Sequence, residues 1–321
     1  MVARQVAKHR QHSMGLRAEA IMIRTSILAA LMWCTVTIAA AADDLYRAQA
    51  VVTGQGEANR IIGFAFCLED VLIKVSGALK LAGDPRLAAY RSSAGDFVKS
   101  FRYHDQMSGT PTRDEQGTRD RPYDLIVDFD EKKVDGLLYA LGLTPWLSHR
   151  PVLSVFVEMV QGPRKYIVTA DAERSAAPRD SLLAAAAKRG MTVALPSVAA
   201  LAKSGIDGVE LTAVPPSTWA SRAAEQGGEV ALLGRLVWDD HELGWATEWQ
   251  MEWQGRPHRW QLRGVTFDEA FRRAIGGAAQ ILSDNGDPGY ACFFGAIERD
   301  GDYGSSAVLK SPRDQPCWLG R

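Results

Sequence analysis

Three consecutive stretches late in the chain alternate apolar and polar residues with a period of two, and an antiparallel meander is the simplest structure that satisfies such a pattern. Val230, Leu232, Gly234, Leu236 and Trp238 share one side of the first stretch. Trp245, Thr247, Trp249, Met251 and Trp253 share one side of the second, with Ala246, Glu248, Gln250 and Glu252 on the other. In the third, His258, Trp260 and Leu262 alternate with Arg259, Gln261 and Arg263. The Gln254-Gly255 dipeptide suits a two-residue hairpin turn, which sets Trp249 opposite Trp260 and Gln250 opposite Arg259. One face of the meander is therefore apolar and the other charged. Residues 267–282 carry apolar side chains at helical spacing and are expected to cover the apolar face.

Upstream, Leu45 to Thr53 reads as a strand ending at Gly54-Gln55-Gly56. Glu57 to Val75 places Ile61, Phe64, Ala65, Leu68, Val71, Leu72 and Val75 on one helical face, and Gly77 is a natural stop. Phe97 to His104 and Tyr123 to Asp130 read as strands joined by a polar connection, Gln106 to Pro122, and Glu131 to Leu141 as a helix ending at Gly142. Thr144 to Arg150 reads as a hinge between domains. Pro151 to Val160 is a nearly continuous apolar strand of the kind buried on both faces, and Lys165 to Thr169 is expected to pair with it. Asp180 to Arg189, Thr192 to Leu195 and Pro216 to Gln226 read as helix, strand and helix. The expected fold class is α/β (α+β) with two domains, 43–145 and 151–283. The second is a mixed sheet whose tryptophan-rich meander is covered by helices, and 284–321 is expected to form a loosely ordered tail.

The apolar run Thr25 to Ala42 is preceded by Arg24, ends in small residues and is followed by Asp43-Asp44. This is the layout of a secretory signal peptide cut after Ala42. An uncleaved membrane anchor is the competing reading, since a span needs roughly 20 apolar residues. Residues 1–21 are basic and polar and read as an extension ahead of a start at Met22. Cleavage leaves about 279 residues of the 321, enough for two domains. A formal net charge of −1 with interspersed signs argues against a nucleic-acid partner. The expected product is a soluble periplasmic protein that touches the membrane only if the signal is retained. Cys67 reads as a small buried hydrophobe, while Cys292 and Cys317 either pair in an oxidising compartment or stay apart.

Four constellations invite a chemical reading. The tryptophans Trp238, Trp245, Trp249, Trp253 and Trp260 are core under a covering helix or, without one, a stacking platform for a sugar. Asp239, Asp240, His241 and Glu242 group metal-ligating side chains, but they are contiguous on one hairpin turn and read as solvated. Asp124, Asp128 and His104 could serve as a carboxylate pair with a histidine in a hydrolase, or simply form the wet face of two strands. The charged meander face, Glu248, Glu252, Arg259 and Arg263, and the Gln106 to Pro122 connection are candidate docking surfaces. No GxSxG elbow, phosphate-binding glycine loop or dinucleotide fingerprint occurs, so no cofactor, metal or catalytic residue is assigned.

The segments LYRAQAVVTGQGEANRIIGFAFCLEDVLIKVSG, YDLIVDFD and WLSHRPVLSVFVEM, continuing through KRGMTVALPS, VALLGRLVWDD and the meander, resemble an exported bacterial family, domain of unknown function 2066. The resemblance covers Leu45 to Ser283 and implies location and architecture only. The element order of the second domain is also similar to small envelope α/β domains that dock other proteins. The combined expectation is a periplasmic binding or accessory module with an envelope protein partner. Amino-terminal sequencing of the exported protein is expected to begin at Asp43, and a retained Thr25–Ala42 run would establish the anchor instead.

Overall fold

The computed structural model describes residues 45–109, 113–114, 117–118, 121–206 and 211–288. The apolar run 25–42, its cut site, Cys292, Cys317 and the tail from 289 lie outside these residues, as do parts of the Gln106–Pro122 connection. The chain forms a mixed α/β structure with an antiparallel three-stranded sheet and a mixed six-stranded sheet.

The first sheet has the order β1-β5-β2, from β1 (Arg47–Thr53), β2 (Val98–Asp105) and β5 (Pro122–Phe129). Leu125, Val127 and Phe129 point inward from β5 against α1 (Glu57–Ser76) and are buried. Gly63 of α1 is where the helix closes on the sheet, because a side chain there would overlap Leu125 and Val52. Cys67 is buried on the same helix face, and burial pushes its thiol up to about 12, so it behaves as an apolar filler. A small ribbon, β3 (Arg113–Asp114) and β4 (Gly117–Thr118), occupies the β2–β5 connection. At the foot of that connection, buried Arg121 pairs with Asp105 at 3.0 Å. Asp130 caps α2 (Glu131–Ala140), and Gly142 follows with φ of 77°.

The second sheet runs β11-β10-β9-β6-β7, with β8 also on β6. Its strands are β6 (Leu153–Gln161), β7 (Arg164–Ile167), β8 (Val193–Ala194), β9 (Val230–Asp239), β10 (Gly244–Trp253) and β11 (Arg256–Val265). β6 pairs in parallel with β9 and β8, and the remaining pairs are antiparallel. β6 lies centrally and is buried on both faces from Leu153 to Met159, as a continuous apolar run requires. The Gln254-Gly255 turn, with φ of 51° and 72°, sets Trp249 opposite Trp260 and Gln250 opposite Arg259.

Helices cover the two faces of this sheet unequally. On one face, α3 (Ala176–Lys188) and α6 (Phe267–Leu282) bury Leu153, Val155, Val157, Leu232, Leu236, Trp249, Met251 and Trp260. Gly234 is required there, because any side chain would overlap the Trp249 ring. On the opposite face, Phe156, Ala231 and Leu233 pack against α4 (Val198–Ser204), the 3-10 turns at 211–219 and α5 (Ala220–Glu225). Trp219 is fully buried in that layer, 5.0 Å from the Phe156 ring. This second cover stops at Gln250, whose side-chain amide donates to the Leu211 and Val214 carbonyls at 3.2 and 3.0 Å.

The two sheets meet at the C-terminus of α1. The last four carbonyls of a helix lack partners within it. Here Gly77 N–H donates to Ile73 O at 2.8 Å, Arg150 to Lys74 O at 2.8 Å, Trp146 N–H to Val75 O at 2.8 Å, and the Asn285 amide to Ser76 O at 3.0 Å. Arg150 also donates to Arg189 O at 2.9 Å and to Trp146 O at 3.1 Å, and it stacks over the Trp146 ring at 4.3 Å. Asp70 of α1 adds ion pairs to Lys188 at 2.8 Å and Arg189 at 3.4 Å. The 144–150 segment, expected to be a hinge, is therefore fastened along the seam. Asn285 and the carbonyls of Gly286 and Asp287 are held as well, so the first residues expected to be loose tail are pinned to α1 and α6. Arg150→Ala removes several charge-assisted hydrogen bonds and should lower unfolding stability by about 2–4 kcal/mol. Arg150→Lys should recover less than half of that in denaturant titration, because one ammonium cannot reproduce the fork.

Candidate functional site

The meander's second face carries the predicted docking residues on its uncovered half. Glu248 and Glu252 project from β10 and are partly exposed, and Arg259 and Arg263 project from β11 and are exposed. Across the β10–β11 pair three of these charges face a neutral residue, Glu248 facing Gln261, Arg259 facing Gln250 and Glu252 facing Pro257, while on its other side Glu248 faces Arg235 of β9. Among the described residues none of the four forms an ion pair within 4.0 Å. Arg235, Val237, Glu248, Gln261 and Arg263 line an open, shallow depression on this face.

Its inner wall is a network that sequence reading missed. Glu158 has a side chain only 1% exposed, yet it pairs with Arg235 at 2.9 Å and Lys165 at 2.8 Å. The Arg235 contact is a directed hydrogen bond, whereas the Lys165 ammonium approaches Oε1 as an ion pair without hydrogen-bond alignment. Parallel pairing of β6 and β9 puts Glu158 beside Arg235, and antiparallel pairing of β9 and β10 puts Arg235 beside Glu248. The signal was present as a lone carboxylate in VLSVFVEMV and a lone arginine in VALLGRLVW. Recognising it required the parallel register, which a single strand does not encode.

The other constellations are used structurally. Trp249 and Trp260 are buried and Trp245 nearly so, while Trp238 and Trp253 pack at the margin of the same cluster. The tryptophans therefore form core beneath α6, as strict alternation predicts, and not an open stacking platform. The indole N–H groups of Trp249, Trp253 and Trp260 have no protein acceptor among the described residues, so ring burial must outweigh a cost of about 1–3 kcal/mol each.

Asp239 accepts backbone hydrogen bonds from His241 and Glu242 at 2.8 and 3.2 Å. These bonds, with a smaller contribution from Arg263, hold its carboxyl below the usual range. Asp240 accepts from the Trp238 indole at 2.9 Å. The turn thus spends two of its carboxylates on its own shape. Among the described residues no group of three or more His, Cys, Asp or Glu side chains could hold a metal ion.

Asp124 and Asp128 lie four residues apart on β5, about 13 Å at the strand rise, too far to share a proton. Asp128 accepts from Ser100 at 3.0 Å and lies 3.6 Å from Arg102. Asp124 accepts from Gln106 at 2.7 Å and lies 3.4 Å from His104. The Gln106 bond, with smaller help from His104 and Gln49, lowers the Asp124 pKa and keeps it ionised, the opposite of what a general acid needs.

With this geometry in place, the comparisons correct the family assignment. Residues 39–147, about a third of the chain, match the model of a domain of unknown function (DUF8605). The match overturns the resemblance to domain of unknown function 2066. The motifs behind that resemblance are strand, turn and helix signatures that any chain folding this way must carry, so they do not discriminate between families. The matched span contains the whole first sheet, α1 and α2, and ends at Leu147 inside the segment that caps α1. No curated protein matches the chain.

Removing the buried carboxylate tests the inner wall. Glu158→Ala removes the anion shared by Arg235 and Lys165, and because both cations are partly exposed it should cost about 1–3 kcal/mol in thermal or denaturant unfolding. Glu158→Met, which fills the volume, should cost clearly less if burial rather than charge pairing dominates at this position.

Proposed function

We propose that this chain is an exported periplasmic binding or accessory module that docks another envelope protein through the charged half-face of its six-stranded sheet. One observation carries the reading: Glu248, Glu252, Arg259 and Arg263 stand unpaired on strands whose opposite sides are locked into the tryptophan core. Isolated surface charges contribute little to stability, so their unneutralised arrangement fits recognition better than folding. A rigid floor beneath them favours binding, because little conformational entropy is lost on association.

The proposed compartment rests on the Thr25–Ala42 run with its small-residue end. Among the described residues no helix is long and apolar enough to cross a membrane. The near-zero net charge fits a protein partner better than nucleic acid. The test is in-cell crosslinking of the tagged protein with mass spectrometry, run beside a variant carrying Glu248→Arg, Glu252→Arg, Arg259→Glu and Arg263→Glu. One or two envelope proteins should be captured by the wild type and lost with the variant, at unchanged Tm. Recovery of the chain alone, or identical capture by both, would remove the docking reading.

A further inference from the structure

We propose that β11 is an acceptor edge, and that the docked partner contributes an acidic, extended segment that adds to the sheet as a seventh strand. This rests on the docking reading and names its mode. Among the described residues β11 ends the strand order, with β10 as its only strand neighbour. The preceding two-residue turn has positive φ at both positions and closes on the Trp253–Arg256 pair. In such a hairpin the closing pair is hydrogen-bonded, and bonded and non-bonded pairs then alternate. His258, Trp260 and Leu262 therefore bond inward to β10. Pro257, Arg259 and Gln261 direct their backbone groups outward. The position of Pro257 agrees, since a proline is tolerated where its missing N–H would face solvent.

The outward backbone is accessible, because Pro257, Arg259, Gln261 and Arg263 are all exposed. It is also rigid, since Trp260 and Leu262 anchor the strand into the core between those residues. The edge has a definite charge preference. β11 contains Arg256, Arg259 and Arg263 and no acidic residue. Arg259 and Arg263 share the open face and form no ion pair with the glutamates of β10. A second copy of the chain is a poor occupant. Antiparallel self-pairing centred on Gln261 sets Arg259 against Arg263 twice, centring on Arg259 sets that guanidinium against itself, and centring on Trp260 leaves each Arg259 diagonal to Arg259 and Arg263 of the other copy. A strand with carboxylates at alternate positions meets both arginines, while the main chain supplies the ladder bonds.

The experiment uses the full mature chain and a fluorescein-labelled decapeptide of alternating glutamate and threonine, read by anisotropy. Saturable binding is expected, with none for the matching lysine–threonine peptide. Arg259→Glu with Arg263→Glu should weaken it at least about tenfold, and so should Gln261→Pro, which removes an outward N–H from the middle of the edge. Because a proline variant could fold poorly, two N-methylated peptides complete the test. Methylation on one alternate set should abolish binding to the wild type, and methylation on the other should leave it intact. Absence of saturable binding, or equal binding of both methylated peptides, would overturn strand addition. So would a concentration-dependent dimer that Gln261→Pro dissolves. In-cell capture that survives Gln261→Pro but is lost on charge reversal would overturn strand addition while leaving the docking reading standing.

Discussion

The last turn of α1 is the point on which the architecture depends. A helix C-terminus brings four carbonyls that its own backbone cannot satisfy. Buried without donors, each would cost about 1–3 kcal/mol. Only the Gly77 N–H is local; the other three donors come from Trp146, Arg150 and Asn285. The helix that carries the core of the first sheet is thus completed by residues that precede and follow the second. Gly77 allows this approach, because its φ of 74° turns the chain and a side chain there would overlap Ser283.

The same seam grips α6. Lys80 N–H donates to the Gln280 side chain at 2.8 Å, and Gly276 accommodates Leu79. On its other side α6 packs Phe271 against Trp249, with ring centres 6.2 Å apart. A helix held from both sides transmits its order to the meander, so the apolar sides of β10 and β11 sit on a fixed support. Among the described residues the charged face is left uncovered only over its outer half, because the 211–219 turns end at Gln250.

Local pattern made much of this legible. The period of two, the Gln254-Gly255 turn and the helical spacing after Phe267 give the meander, its register and its cover. Where a signal depended on distant partners, the sequence was silent. Asn285 sits where glycine, aspartate and proline suggest a loose tail, yet it caps a helix that ended at Ser76. Gln250 belongs to a polar stripe, yet it is fully buried, because periodicity reports which face a residue is on and not what covers that face. Asp124, Asp128 and His104 looked like a chemical group because one strand and its neighbour aligned them. The strand rise that aligns two carboxylates at even spacing also keeps them apart.

Register explains why the charges of the docking face do not neutralise one another. Glu248 would lie opposite Arg259 if β11 slipped by two residues along β10, and an ion pair would become available. That slip would also separate Trp249 from Trp260 and place Trp249 opposite His258. An exposed ion pair is worth about 0–1 kcal/mol. Burying large apolar side chains is worth about 1.5–3 kcal/mol each, and the slip would disturb several of them. The tight turn adds its own penalty, since only two residues bridge the strands. The core on one face therefore decides the pairing on the other, and it leaves Arg259 opposite a neutral glutamine with its charge directed to whatever meets the edge.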